Sequence, residues 1–292
     1  MNGIGRALSR AAGLAAGVIM AVPLAAFEWP VSPVSPTVLF GQRDGGVMSR
    51  GLAFSDADTV RAAGNGKILI TLDKNKNLSG FPSTLGNAVI MVHDEGLATV
   101  YGNLATTDRT AIGGDIESQT ILAPAGSGAW GKESEVRFEV LDLANKTVLN
   151  PLLLLPAMKD TKGPRIRNAV AISESGQTFT LGVTKYVKQG QYRLYADVSD
   201  TLETGTREYA PFRITVLVNG KEQLAMPFEI MKSESGAVFL SRPDFTFNRL
   251  YADPERIFLG SIAFIRGKTD ISFLARDFAG NERSAQFSLI IE

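Results

Sequence analysis

The chain has 292 residues, 45% of them hydrophobic and 21% charged, an ordinary globular composition with enough length for two cores. Its 30 lysines and arginines balance 30 acids, so there is no basic excess to attract nucleic acid, and none is expected as a partner. The absence of cysteine excludes disulfides, thiolate catalysis and sulfur-ligated zinc, and the single histidine, His93, weighs against a histidine-rich catalytic metal site.

In chain order, Arg6 and Arg10 lead into an Ala- and Gly-rich apolar stretch over residues 11–26, broken only by Pro23. That run is shorter than the ~20 apolar residues that cross a bilayer, so residues 1–26 read as a Sec-type signal peptide cut after Ala26. An uncleaved anchor is the alternative, and membrane contact is expected only through this segment. Export would place the protein in the periplasm or cell envelope, and no lipobox cysteine is available for lipid attachment. From Trp29 the sequence Trp-Pro-Val-Ser-Pro-Val-Ser-Pro forces extended backbone and predicts a tether into the first domain.

Beyond it, short apolar runs are punctuated by Gly, Asn and Asp, and no sustained helical period occurs, which predicts a mainly β protein. Strands are expected over residues 66–72, 88–93 and 97–101, with Asp94-Glu95-Gly96 as the turn between the last two, and over 135–141 after a Gly-rich loop at 124–131. Asn150-Pro151 and the leucines after it close the first half. Residues 159–164, Lys-Asp-Thr-Lys-Gly-Pro, read as a linker, giving expected domains at 27–160 and 161–292, the second folding alone.

The second half alternates with period two. Tyr192, Leu194, Ala196 and Val198 share one strand face, and Phe212, Ile214, Val216 and Val218 share another. Ile271, Phe273 and Ala275 are joined through Asp277-Phe278-Ala279-Gly280-Asn281-Glu282 to Phe287, Leu289 and Ile291. One-sided alternation with short connections implies stacked antiparallel sheets, and the closing turn resembles that of bacterial immunoglobulin-like domains. A β-barrel of similar size fits the alternation too.

In the first half the order of Trp29-Pro30, Phe40-Gly41-Gln42-Arg43, Gly51-Leu52, Val-Arg-Ala-Ala-Gly-Asn-Gly at 60–66, Gly86-Asn87, Gly-Leu-Ala-Thr-Val-Tyr at 96–101, Phe138-Glu139-Val140 and Asn150-Pro151 resembles the lysostaphin/LytM-type zinc metallopeptidases, which cleave peptidoglycan cross-bridges. The resemblance covers roughly residues 29–156. It implies an antiparallel β fold of the duplicated hybrid motif type, and zinc held by His and Asp of H-x-x-x-D and by the second His of H-x-H, with histidines of Y-x-H and H-x-H assisting the attacking water. Matched by position, Ser49 and Ala53 stand in the first motif, Asn103 ends Tyr101-Gly102-Asn103, and Glu135-Val136-Arg137 replaces H-x-H. No catalytic residue and no zinc are therefore expected, and the chain reads as a degenerate member.

Arg137 would bring a permanent charge into the place of the metal, and Glu135, Arg137 and Glu139 share a strand face suited to an ion-pair ladder. The candidate binding groove comprises Arg137, Glu135, Asn103, Tyr101, Trp130 and Ser49. His93 is expected in a structural role, and Asp44, Asp56 and Asp58 as solvated turn residues. The resemblance implies a non-catalytic envelope protein that binds peptidoglycan or a wall hydrolase or its regulator. A hydrolase with a displaced metal site and a structural adhesion or assembly module remain alternatives.

Overall fold

The computed structural model describes residues 26–74, 83–108, 112–126, 135–203 and 205–292. Trp130 and nearly all of the expected signal segment lie outside them. Among the described residues the protein is almost wholly β, with one short α-helix at Phe247–Leu250 and 3-10 turns at Asp94–Gly96 and Pro151–Leu153.

In the first half a sheet runs, neighbour by neighbour, through Thr147–Leu149, Val136–Asp142, Leu97–Leu104, Asn87–Val92, Gly66–Leu72 and Asp115–Ile116, all antiparallel. Val136–Asp142 is central: Leu97–Leu104 pairs along one edge, while Leu52–Phe54 and Thr147–Leu149 share the other. Its alternation explains the placement. Val136, Phe138 and Val140 are buried in the core of this half, which turns Arg137 and Glu139 to the opposite face. The expected strands thus form with small shifts at their ends.

The proline-rich stretch is not a tether. Phe27 and Val31 are buried in the first-half core, and the N–H groups of Phe27, Glu28 and Arg61 donate to Leu154 O, Ala63 O and Pro30 O. Prolines do impose extended backbone, but extended backbone beside a sheet finds hydrogen-bond partners, and the apolar side chains between them find slots.

The second half is an open sandwich rather than a closed barrel. One sheet runs Thr178–Thr180, Arg165–Ser173, Gly190–Ser199, Ile257–Phe264; the other runs Tyr186–Val187, Glu282–Ile291, Gly267–Arg276, Arg213–Val218, Lys221–Pro227. Tyr192, Leu194, Ala196 and Val198 from the first meet Ile214, Val216, Ile271, Phe273, Ala275, Leu289 and Ile291 from the second, as the alternation predicts. Phe212, Val218 and Phe287 are only half-buried.

Strand pairing and packing cross the expected boundary at residue 160. The hairpin Ile230–Glu234/Ala237–Leu240 leaves the sandwich and extends the first sheet, setting Met231 opposite Val148 and Ile230 opposite Leu149. Phe40 and Met48 enter the sandwich core, while Tyr209 enters the first-half core and Leu202 and Phe278 pack against it. Further bonds cross the seam: Asn150 Nδ2 donates to Phe228 O at 2.7 Å, Tyr209 Oη to Pro36 O at 2.7 Å, and Arg207 Nη1 to Thr37 O at 2.9 Å.

Gly41 shows how close the halves come. At φ 79° its backbone is in the left-handed region, and a Cβ there would stand 2.5 Å from Phe228 Cδ1. Gly41→Ala should therefore cost about 2–4 kcal/mol, from the left-handed conformation and from overpacking. Because the seam is shared, circular dichroism and tryptophan fluorescence, with Trp29 packed against the first-half core, should report one common, lowered transition. Separate transitions would show that the halves unfold independently.

Candidate functional site

On the face of the central strand turned away from the core, Arg137 lies opposite Ala53 on one neighbour and Gly102 on the other. These small residues leave room for its side chain. The guanidinium reaches two carboxylates: Nη1 is 2.8 Å from Asp44 Oδ2 and Nη2 is 3.1 Å from Glu135 Oε1. Glu135 is buried and also accepts from Thr37 Oγ1 at 3.4 Å. Asn103 adopts a left-handed conformation, φ 61°, and its Nδ2 donates to Glu135 O and to Gly126 O at 3.2 Å. Ser49 is buried with its hydroxyl donated to Gly51 O at 2.9 Å. Gly51 is needed there, since a Cβ would fall 2.1 Å from Phe138 O of the central strand.

Ala53, Asn103, Glu135 and Arg137 thus meet around one strand segment, while the contacts of Ser49 are with Gly41, Gln42 and Gly51. Their chemistry is that of a closed ion-pair cluster. Arg137 has no lone pair to give a metal, Ala53 offers a methyl group, and the Ser49 hydroxyl is engaged, so this donor set does not fit zinc. A guanidinium set among carboxylates already supplies the positive charge a metal would bring.

Several expectations change in detail. Asp44 is not a solvated turn residue. It sits on the tight hairpin Arg43–Asp44/Val47–Met48, turned through Gly45 and Gly46, which carries its carboxylate to Arg137. Glu139 does not continue the ladder; it pairs with Arg50 at 3.2 Å. Burial raises the Glu139 pKa, opposed by the charges of Arg50 and Arg137. Tyr101 faces the core instead of a groove: it is fully buried against Phe138, ring centroids 5.4 Å apart, and accepts from the Ala63 N–H at 2.7 Å. Asp56 stays in a turn, accepting from Ser55 Oγ at 2.9 Å.

His93 anchors a buried polar chain. Its Nδ1 is 2.7 Å from Asn65 O and its Nε2 is 2.7 Å from Thr99 Oγ1, whose hydroxyl lies 3.0 Å from that of Tyr101. Asn65 O can only accept, so Nδ1 of His93 carries a proton and donates to it, while the Thr99 hydroxyl and the Ala63 N–H both donate to Tyr101 Oη. Burial lowers the His93 pKa, against the raising effects of its bond to Asn65 O and of Asp94; burial pushes Tyr101 up to about 12.

An uncharacterized protein of Treponema pallidum (strain Nichols) is 38% identical over 126 residues, covering 39% of this chain and 86% of that protein. The chain belongs to the same family as that protein. A family profile without a functional description matches residues 163–292, less than half of the chain. Similar solved structures include a zinc-containing peptidase from Vibrio cholerae, 20% identical over 43% of this chain and 39% of that one, TM-score 0.36. The catalytic domain of lysostaphin from Staphylococcus simulans is 17% identical over 41% of this chain and 90% of its own, TM-score 0.35. The SpoIIQ–SpoIIIAH pore-forming complex is 18% identical over 45% and 91%, TM-score 0.37. The chain thus spans well under half of the Vibrio cholerae peptidase, and likenesses at these scores carry no functional weight.

With one histidine in the chain, an imidazole titration by NMR reports His93 alone. Its midpoint should fall below the ordinary value near 6.5. Below that value the unfolded chain takes up a proton that the folded chain rejects, so this contribution to stability is present above about pH 6.5 and is lost as pH falls. The difference in Tm between wild type and His93→Gln should therefore shrink as pH falls from about 7 to 5. Separately, Arg137→Ala leaves Glu135 and Asp44 facing each other, with Glu135 only 8% exposed, and should cost about 1–3 kcal/mol in chemical denaturation. Arg137→Ala/Glu135→Gln should recover part of that loss.

Proposed function

We propose that this protein is a non-catalytic, exported cell-envelope protein in which a lysostaphin-type scaffold, stripped of its zinc donors, is a binding surface for peptidoglycan or for a wall-hydrolase partner or its regulator. The observation that carries this reading is Arg137, held between Asp44 and Glu135 at the place where the motif order sets a metal ligand. A divalent cation entering there meets a fixed positive charge and no free nitrogen donor.

The same side chains say how a ligand would engage. A guanidinium has five donors in a planar fork suited to carboxylates, such as those of peptidoglycan stem peptides. Two of its nitrogens are already engaged, so an incoming carboxylate must share Arg137 with Asp44, its more exposed partner, or displace it. Glu135, buried and held by Thr37, is the fixed partner. Recognition would thus move the Arg43–Met48 hairpin and leave the central strand in place.

The purified protein should hold no stoichiometric zinc and release no muropeptides from sacculi. It should co-sediment with sacculi or retain an envelope protein in pull-down, and Arg137→Ala should weaken that binding ten- to a hundredfold, ~1.5–3 kcal/mol. Near one zinc per chain, or chelator-sensitive muropeptide release, would restore the peptidase reading. Equal retention by wild type and Arg137→Ala would move the binding role to the sandwich.

A further inference from the structure

A second polar cluster lies at the seam between the halves, away from Arg137. Asp160 is on the segment joining the halves, Asp200 directly follows the strand Gly190–Ser199, and Asp277 opens the turn after Gly267–Arg276. One carboxylate oxygen from each lies within 4.8 Å of the other two. Asp200 and Asp277 are 4% and 1% exposed, and Asp160 is half-buried. Among the described residues no lysine or arginine forms an ion pair with any of them. Arg165 and Lys162 act only at longer range, and Glu203 adds negative charge.

The internal contacts do not satisfy this group. Asn281 donates its N–H and Nδ2 to the two oxygens of Asp277, at 2.8 Å each, and the Lys162 N–H donates to Asp160 Oδ1 at 3.0 Å. Asp200 Oδ1, by contrast, is buried without a hydrogen-bond partner among the described residues. Native structures rarely leave a buried carboxylate oxygen so. Asp160 and Asp200 also line a cavity of about 40 Å³, otherwise walled largely by apolar groups including Leu39, Phe40, Leu152 and Phe278. That volume admits water-sized bodies.

We propose that Asp160, Asp200 and Asp277 bind a hard divalent cation, with calcium favoured, and that the ion fastens the closing turn of the sandwich to the segment linking the two halves. Carboxylate oxygens are hard donors, and no nitrogen or sulfur donor joins the cluster. Calcium holds oxygens at 2.3–2.6 Å, so ligands on opposite sides stand up to about 5.2 Å apart; magnesium, at 2.0–2.1 Å, holds them within about 4.2 Å. The three oxygens lie within 4.8 Å of one another, a spread that one hard cation can bridge, and calcium, with longer bonds and a looser geometry than magnesium, tolerates its upper end better. Water in the cavity would complete the coordination. Burial, aided by Asp277 and Asp160, raises the Asp200 pKa to about 7, so this carboxylate demands either a proton or a cation.

Calorimetric titration of calcium into the chelator-treated full chain should show one saturable site, and millimolar calcium should raise Tm by several degrees, magnesium by less. Asp200→Asn should abolish the calcium-dependent rise, yet match or exceed the calcium-free wild type in Tm, because it removes a buried like charge. A purely structural carboxylate would lower it. Asp160→Ala, at the most exposed of the three positions, should weaken calcium at least tenfold in a chain that still melts cooperatively. No binding heat and no Tm shift in folded wild type, or a full shift retained by Asp200→Asn, would overturn the proposal and leave a shared proton as the occupant.

Discussion

The structure depends on one short segment, residues 39–49, which both halves use to close their cores. Phe40 and Met48 enter the sandwich core, Gly41 lies against Phe228, and Arg43 donates Nη2 to Tyr251 O and Asp253 O at 2.7 and 3.0 Å. The Arg43 guanidinium also stacks over the Tyr251 ring, 5.1 Å from its centroid, and Tyr251 returns a hydrogen bond to Gly41 O. Burial raises the Tyr251 pKa, so that hydroxyl stays a donor at any physiological pH. Apolar insertion supplies the energy here, and the arginine fixes the direction of the chain.

That clamp reaches the candidate site through a single residue step. Arg43 is tied to the second half, and Asp44, next in the same two-residue strand, is tied to Arg137 of the first. The sandwich therefore acts on Arg137 at a distance, by holding the hairpin that brings in Asp44. A peptidase of this class keeps an open coordination position for water. Arg137 is held from one side by Glu135 on its own strand and from the other by a carboxylate whose placement depends on the second half. The site and the seam are one mechanical unit.

Behind the site the sheet is made rigid by a different device. Tyr101, Thr99 and His93 form a buried polar chain, ending on Ala63 N and Asn65 O of the neighbouring loop, with Phe27 packed 4.8 Å from the imidazole. Each group in the chain has its partner, so the low dielectric strengthens the bonds instead of penalising the groups. Two residues of the same strand serve this scaffold: Tyr101 braces the core, and Asn103 holds the backbone of Glu135.

The amino-acid sequence by itself determined the β class, the strands near residues 66–72, 88–93, 97–101 and 135–141, and the inward faces from Tyr192 to Val198 and from Ile271 to Ala275, and its motif order set Ala53, Asn103, Glu135 and Arg137 side by side. Those features follow from a two-residue period and from motif order, both local in the chain. Only the tertiary structure decided the partners. Nothing near Asp44 announces Arg137, nor does any local signal send Tyr101 to the core, pair Met231 with Val148, or bring Asp160, Asp200 and Asp277 together. A period-two pattern states which side of a strand is buried but not what lies against it. Gly41 and Gly51 enter the sequence reading only as motif positions, and only the packed chain shows that they are places where another backbone or ring leaves no room for a Cβ.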